Sequence, residues 1–167
     1  MELVPYKQFA KLRMKQFVPK GTKLFEDDGC EWMGGMWIVD QLTAWNGFAR
    51  PRATPSETGG LEIIFPDMPK DVAAAILNAI RLPLKPGLSL DEVRSVLGEP
   101  ERTESFVDDR KTYEFAIGTE HPYYLSCTLF NSGGLMGLAV IRKDVLSRIE
   151  AEEAAFQAEI EAEQGNG

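Results

Sequence analysis

The sequence predicts an α+β fold in which two helices pack on one face of an antiparallel meander sheet, with helical extensions at the N- and C-termini. Three observations carry this expectation. Residues 85–100, KPGLSLDEVRSVLGEP, have the pattern of a short capped helix. KTYEFAI, YYLSCTLF and LMGLAVI follow as aromatic, β-branched and aliphatic runs, with Asn131-Ser132-Gly133-Gly134 between the last two. Residues 67–81 supply the other helix, with Val72, Ile76, Leu77 and Ile80 recurring on one face.

Each element has a local reason. Residues 5–17 predict an amphipathic helix, with Tyr6, Phe9, Ala10, Arg13 and Phe17 on an imperfect apolar stripe and Lys7, Lys11 and Lys15 in another sector. Residues 21–66 form a β-rich part, cut into short pieces by Gly29, Gly34, Gly35, Gly47, Gly59 and Gly60, with MWIVDQL, WNGFA and LEIIFPD as strand-like segments. Residues 67–142 form the helix-helix-meander unit. Its first helix opens at Asp67-Met68-Pro69-Lys70 and stops before Pro83. Its second starts at Ser89, whose S-x-x-E spacing to Glu92 is that of a capping box, and presents Leu90, Val93, Val96 and Leu97 on one face. Gly98 suits a helix end, and Pro100 lacks the N–H needed to continue. Residues 1–143 are therefore expected to form a single α+β domain. Residues 144–167 follow as an acidic helix with a thin stripe of Val145, Ile149, Phe156 and Ile160, closed by Gly165-Asn166-Gly167.

Parity sorts the strands into faces. Tyr113, Phe115 and Ile117 share one side of their strand, as do Leu125, Cys127 and Leu129, and these should meet the helices. Glu114, and the set Tyr124, Ser126 and Thr128, point the other way. That face is expected to bind a protein, because tyrosine gives contact area at low entropy cost and hydroxyls adapt to a partner's polar groups; the competing expectation is an ordinary wet sheet face. Trp32, Trp37 and Trp45 lie close together among glycines. Trp37 sits in the apolar run Met36-Trp37-Ile38-Val39 and is expected in the core, whereas Trp32 and Trp45 are candidates for either core or interface.

The phrase Pro86-Gly87-Leu88-Ser89-Leu90-Asp91-Glu92-Val93, then Leu97-Gly98-Glu99-Pro100, Tyr113-Glu114-Phe115 and Asn131-Ser132-Gly133-Gly134-Leu135, resembles the small outer-membrane assembly lipoproteins of the SmpA/OmlA type and their β-lactamase-inhibitor-like relatives. The resemblance covers residues 85–142, about a third of the chain. It implies a binding module built from two helices and a sheet rather than an enzyme. The chain departs from those lipoproteins at its start, MELVPYKQFAKLRMKQF, where charges interrupt every apolar pair and no secretion signal is visible. If the sequence is full length, a cytoplasmic protein is expected.

Composition narrows the classes. The net charge is −8, with 18 Lys+Arg against 26 Asp+Glu, which argues against a nucleic-acid surface. The first 23 residues are the exception, with six basic residues against Glu2 alone; a membrane or nucleic-acid arm is the sharper expectation and a solvated helix face folded back on an acidic body the plainer one. No membrane partner is expected. Cys30 and Cys127 are too few for a disulfide framework and are expected to be reduced packing residues. Glu26-Asp27-Asp28 lacks the alternating spacing of a calcium loop, and a single histidine, His121, cannot build the usual zinc sites. Neither a phosphate loop, nor a G-x-S-x-G elbow, nor an H-E-x-x-H pair occurs. No catalytic residue, cofactor or metal is therefore assigned, and the expected function is non-enzymatic binding of another, basic, protein, as in a toxin-neutralising immunity protein. Two alternatives stand beside it. One is an assembly or scaffold factor similar to the lipoproteins. The other is a small enzyme using carboxylates such as Asp108, Asp109 or Glu114, together with His121 or Cys30.

Overall fold

The computed structural model describes residues 1–27, 29–33 and 46–165. Eight strands form one antiparallel sheet: β1 (Phe25–Asp27), β2 (Cys30–Trp32), β3 (Gly47–Ala49), β4 (Gly60–Ile64), β5 (Arg102–Val107), β6 (Arg110–Ile117), β7 (Tyr123–Phe130) and β8 (Gly134–Arg142). Their spatial order is β1-β2-β3-β4-β8-β7-β6-β5. Two four-stranded meanders thus meet at their last strands. The helices are α1 (Tyr6–Ala10), α2 (Lys70–Ile80), α3 (Leu90–Leu97) and α4 (Lys143–Gly165), so the molecule is an α+β protein. Trp37, Trp45, Asp28 and the expected strand over 36–42 lie outside the described residues.

The expected inner face is buried. Phe115, Ile117, Leu125, Cys127 and Leu129 join Leu61, Ile63, Leu138 and Val140 in one continuous core. The same core contains Val72, Ala73, Ile76, Leu77 and Ile80 of α2 and Val93 of α3, with Leu90, Val96 and Leu97 packed against it. Burying a side chain of this size contributes about 1.5–3 kcal/mol. Ser89 caps α3 as its spacing predicts: Glu92 N donates to Ser89 Oγ at 3.2 Å and Ser89 N to Glu92 Oε1 at 3.1 Å. α2 ends where Arg81 adopts a left-handed conformation (φ 64°), which lets Leu82 N reach Leu77 O at 2.9 Å.

The N-terminal helix expected over 5–17 is broken. α1 spans only Tyr6–Ala10, and a 3-10 turn at Met14–Gln16 follows. The reason is tertiary. Thr58 N donates to Ala10 O at 2.9 Å, Arg13 Nη1 donates to the Ala10 and Leu12 carbonyls, and Arg13 itself is extended (φ −138°, ψ 142°). Those carbonyls are committed to contacts that a continuing helix would take over. Its apolar side folds back into the core, where Leu3, Val4, Phe9 and Met14 are fully buried, while Lys7, Lys11 and Lys15 stay exposed on a solvated face. Tyr123 Oη fixes this strap by donating to Val4 O at 2.7 Å, and Tyr6 Oη donates to Pro122 O.

Sequence pattern also missed β5. Val107 pairs with Arg110 across Asp108-Asp109, so the acidic pair is a two-residue hairpin loop. Asn131 holds this tip from the neighbouring turn, donating N to Asp109 O at 2.8 Å and Nδ2 to Asp108 O at 2.7 Å. The β5–β6 register shifts between Glu104 and Val107.

Two expected outcomes follow from this architecture. Gly134 (φ 75°) sits where Gly87 and Leu135 exchange hydrogen bonds (Gly87 N to Leu135 O, 2.9 Å; Leu135 N to Leu88 O, 2.8 Å), and a Cβ there would overlap the Gly87 and Leu88 carbonyl oxygens. Gly134→Ala should lower unfolding stability by about 2 kcal/mol or more in urea titration, from backbone strain and overlap together. The Glu2 carboxylate accepts from Thr119 N at 2.6 Å and Thr119 Oγ1 at 2.9 Å, and these bonds hold its pKa down at about 2. Its contribution is complete above the unfolded value of 4.5 and disappears as pH falls through about 2, so Glu2→Gln should flatten that acid limb of the stability profile.

Candidate functional site: the outer face of the sheet

The face opposite the core divides into two regions. Over β5–β7 it is a laced polar surface. Arg102, Glu114, Ser126, Ala139 and Glu62 stand in one cross-strand row, and Thr112 and Thr128 stand opposite each other in the next. Glu114 Oε2 is 3.3 Å from Arg102 Nε and accepts from Tyr124 Oη at 3.3 Å. Arg102 Nη2 also reaches Glu104 Oε1 at 2.9 Å, and the Thr112 and Thr128 hydroxyls are 2.9 Å apart. Burial, reinforced by the Glu114 carboxylate, raises the Tyr124 pKa, so the phenol remains a donor. Such exposed pairs contribute little stability individually, a few tenths to about 1 kcal/mol each. Their effect is to fix side-chain positions on rigid strands.

Toward the β7–β8 turn this surface becomes apolar. Arg110 lies over the Phe130 ring, 5.0 Å from its centroid, and its Nη1 is 3.4 Å from Met136 Sδ. Phe130 and Met136 then border a mostly apolar hollow of about 260 Å³, lined also by Phe65, Pro66, Pro86 and Leu135, with Lys70 as its one charged residue. The β5–β6 hairpin ends at the same side, because Val107 pairs with Arg110 and Arg110 with Phe130. Its Phe106 is 81% exposed. Neither Phe106 nor the hollow was anticipated from sequence; the strand-loop-strand reading of ESFV-DD-RKTYEF was the available signal.

Over β2–β4 the outer face is closed. Trp32 is 8% exposed, belongs to a small buried cluster with Cys30 and Ala49, and stacks on Phe25 at 5.8 Å between ring centroids. Trp32, a candidate for either core or interface, is thus buried by the chain itself. Trp45 lies outside the described residues. Glu114, Tyr124, Ser126 and Thr128 do share one half-exposed surface, as parity predicts.

Glu62 lies between these regions, in a groove of about 300 Å³ lined also by Ile141, Leu146, Ile149, Glu150 and Glu153. Its Oε1 is buried without a hydrogen-bond partner, and burial pushes its pKa up to about 7. Cys127 is buried in the core, which raises its thiol pKa to about 12 and makes it a packing residue. His121 sits in the β6–β7 connection, its ring 5.7 Å from that of Tyr6, while Asp108 and Asp109 sit at the hairpin tip. The residues named for a carboxylate enzyme are thus on different elements. Among the described residues, no group of three His, Cys, Asp or Glu side chains could hold a metal ion, and no helix is long and apolar enough to cross a membrane. Comparison with known proteins finds no matching family, no matching curated protein and no matching solved structure.

The folded pKa of Glu62 lies above its unfolded value of 4.5, so its stability cost is absent below that pH and grows until pH passes about 7. Urea titrations at pH 4.5 and 8 should show the wild type losing about 3 kcal/mol through this group, a loss that Glu62→Gln abolishes.

Proposed function

We propose that the protein is a non-enzymatic protein-binding module whose recognition surface is the outer face of β5–β7 together with the apolar hollow beside Phe130. The observation that carries this reading is the continuity of the two: an ordered polar ladder through Arg102, Glu114 and Tyr124 runs into an apolar seat at Phe130 and Met136 on rigid strands. Recognition surfaces combine an apolar anchor point with a polar surround in this way. In this reading α2 and α3 form the layer that covers the inner face and leaves the outer one for the partner, which is the arrangement implied by the resemblance to the inhibitor-like and assembly-lipoprotein families.

The partner in this proposal is basic. Support comes from the net charge of −8 and from residues 150–165 of α4, which carry six glutamates and no lysine or arginine. Complementary charge accelerates association and needs no catalytic groups, which suits neutralisation of a basic toxin by an immunity protein in the cytoplasm.

The test is affinity capture by the tagged chain from its native cells at low and moderate salt, with each variant compared to wild type. A stoichiometric basic partner should be retained at low salt and released as salt rises. Tyr124→Ala, Glu114→Lys and Phe106→Ala should each weaken retention at least tenfold while the thermal midpoint stays within about 2 °C. Undiminished binding by all three variants would reject this surface.

A further inference from the structure

α4 leaves the sheet without a loop, since β8 ends at Arg142 and the helix begins at Lys143. Arg142 fixes the junction by donating Nε to Asp144 Oδ1 at 3.1 Å and Nη2 to Asp144 Oδ2 at 2.7 Å. Beyond it, Val145 is buried and Leu146 and Ile149 are half-buried, whereas every residue from 150 to 159 is exposed. The helix is therefore seated on the outer face of β4 and β8 by its first two turns alone. Leu146 and Ile149 close over the groove that contains Glu62.

Register and lining define what Glu62 faces. Ala139 of β8 and Gly47 of β3 flank it in the cross-strand row and bring no charge. From α4, Glu150 and Glu153 line the same groove. No lysine or arginine lines it among the described residues, and the Arg142 guanidinium lies over the Tyr6 ring, engaged by Asp144 and, at 3.7 Å, by Glu57. A buried carboxyl oxygen without a partner, beneath a short apolar seam, is tolerated as a neutral acid and opposed as an anion because burial strips it of water.

We infer that α4 is a proton-controlled strap, seated on β4 and β8 while Glu62 holds its proton and loosened when that proton leaves. Opening the seam hydrates the Glu62 carboxylate, so ionisation and undocking favour each other. The sign follows from linkage. A hydrated Glu62 ionises near the ordinary 4.5 and the seated one near 7, so seating is strongest below pH 4.5, weakens as pH rises to about 7, and is constant above that. Release also bares Ala139 beside Ser126 and Ile141 beside Tyr124, enlarging the open part of the outer face. This inference does not rest on the protein-binding reading, because its readout is α4 itself and needs no partner.

Two measurements on the full chain test it. Amide hydrogen exchange of residues 145–153 is followed from pH 4.5 to 8.5 in wild type and Glu62→Gln, and the wild-type protection is divided by the variant's at each pH to cancel the intrinsic chemistry. The ratio should fall by at least tenfold, with a ceiling of roughly 300-fold set by the two ionisation values, and level off above pH 7. A ratio independent of pH overturns the proposal. Carbon-13 NMR of the Glu62 carboxyl is then titrated in wild type and in Leu146→Ser/Ile149→Ser, which disrupts the seam. The midpoint should drop toward 4.5 in the double variant; an unchanged raised midpoint, or an ordinary midpoint in wild type, overturns it even if Glu62→Gln fails to fold.

Discussion

Five residue pairs between β4 and β8, from Gly60 opposite Ile141 to Ile64 opposite Gly137, join two four-stranded meanders into one sheet. The remaining structure depends on this junction. It brings together strands separated by two helices and three further strands, so its formation is non-local and carries the entropy of closing a long loop. Its register is tightly specified because Leu61 and Ile63 enter the core beside Leu138 and Val140; a slip of β4 by one residue would turn Leu61 and Ile63 outward. Gly137 lets the backbones approach, since a Cβ there would stand 2.7 Å from Ile63 O. The same register puts Glu62 on the outer face beneath α4.

The junction also explains why the two faces differ. Inward, residues from both meanders share one core with residues of α2, α3 and the N-terminal strap, and the strap is sealed by bonds from Tyr123 and Thr119 to Val4 and Glu2 and by its own Tyr6 donating to Pro122 O. Outward, β6 and β7 carry Thr, Ser, Glu and Tyr, with neighbours fixed by hydrogen bonds rather than by a covering layer. Rigid strands with preset polar side chains lose little entropy when a partner arrives. The buried carboxyl of Glu62 marks the border where this polar surface passes beneath the root of α4.

Local chemistry made much of the fold legible. The Ser89–Glu92 box, the apolar faces of α2 and α3, and the alternation in β6 and β7 each act within a few residues, and each appears where the pattern places it. What escaped the sequence depends on distant partners. Residues 11–13 have helix-compatible side chains, yet Thr58 and the extended Arg13 stop α1. β5 is exposed on both sides, so it lacks the alternation that announces a half-buried strand. Glu62 reads as an ordinary polar strand residue until α4 is known to lie over it. Parity grouped Glu114, Tyr124, Ser126 and Thr128 correctly, whereas the burial of Trp32 rests on contacts across β1–β3 that spacing alone does not encode.

The register shift on β5 has a consequence for life in concentrated solution. β5 is a terminal strand of the sheet, and an unpaired terminal strand is a template on which another chain can polymerise. A strand added there would meet Arg102 and Glu104 at one end and a broken spacing of donors and acceptors at the other. Regular lengthening of the sheet from molecule to molecule is thereby frustrated. The irregular border thus works against strand addition at this one edge, where Phe106 and Val107 would otherwise offer an apolar template.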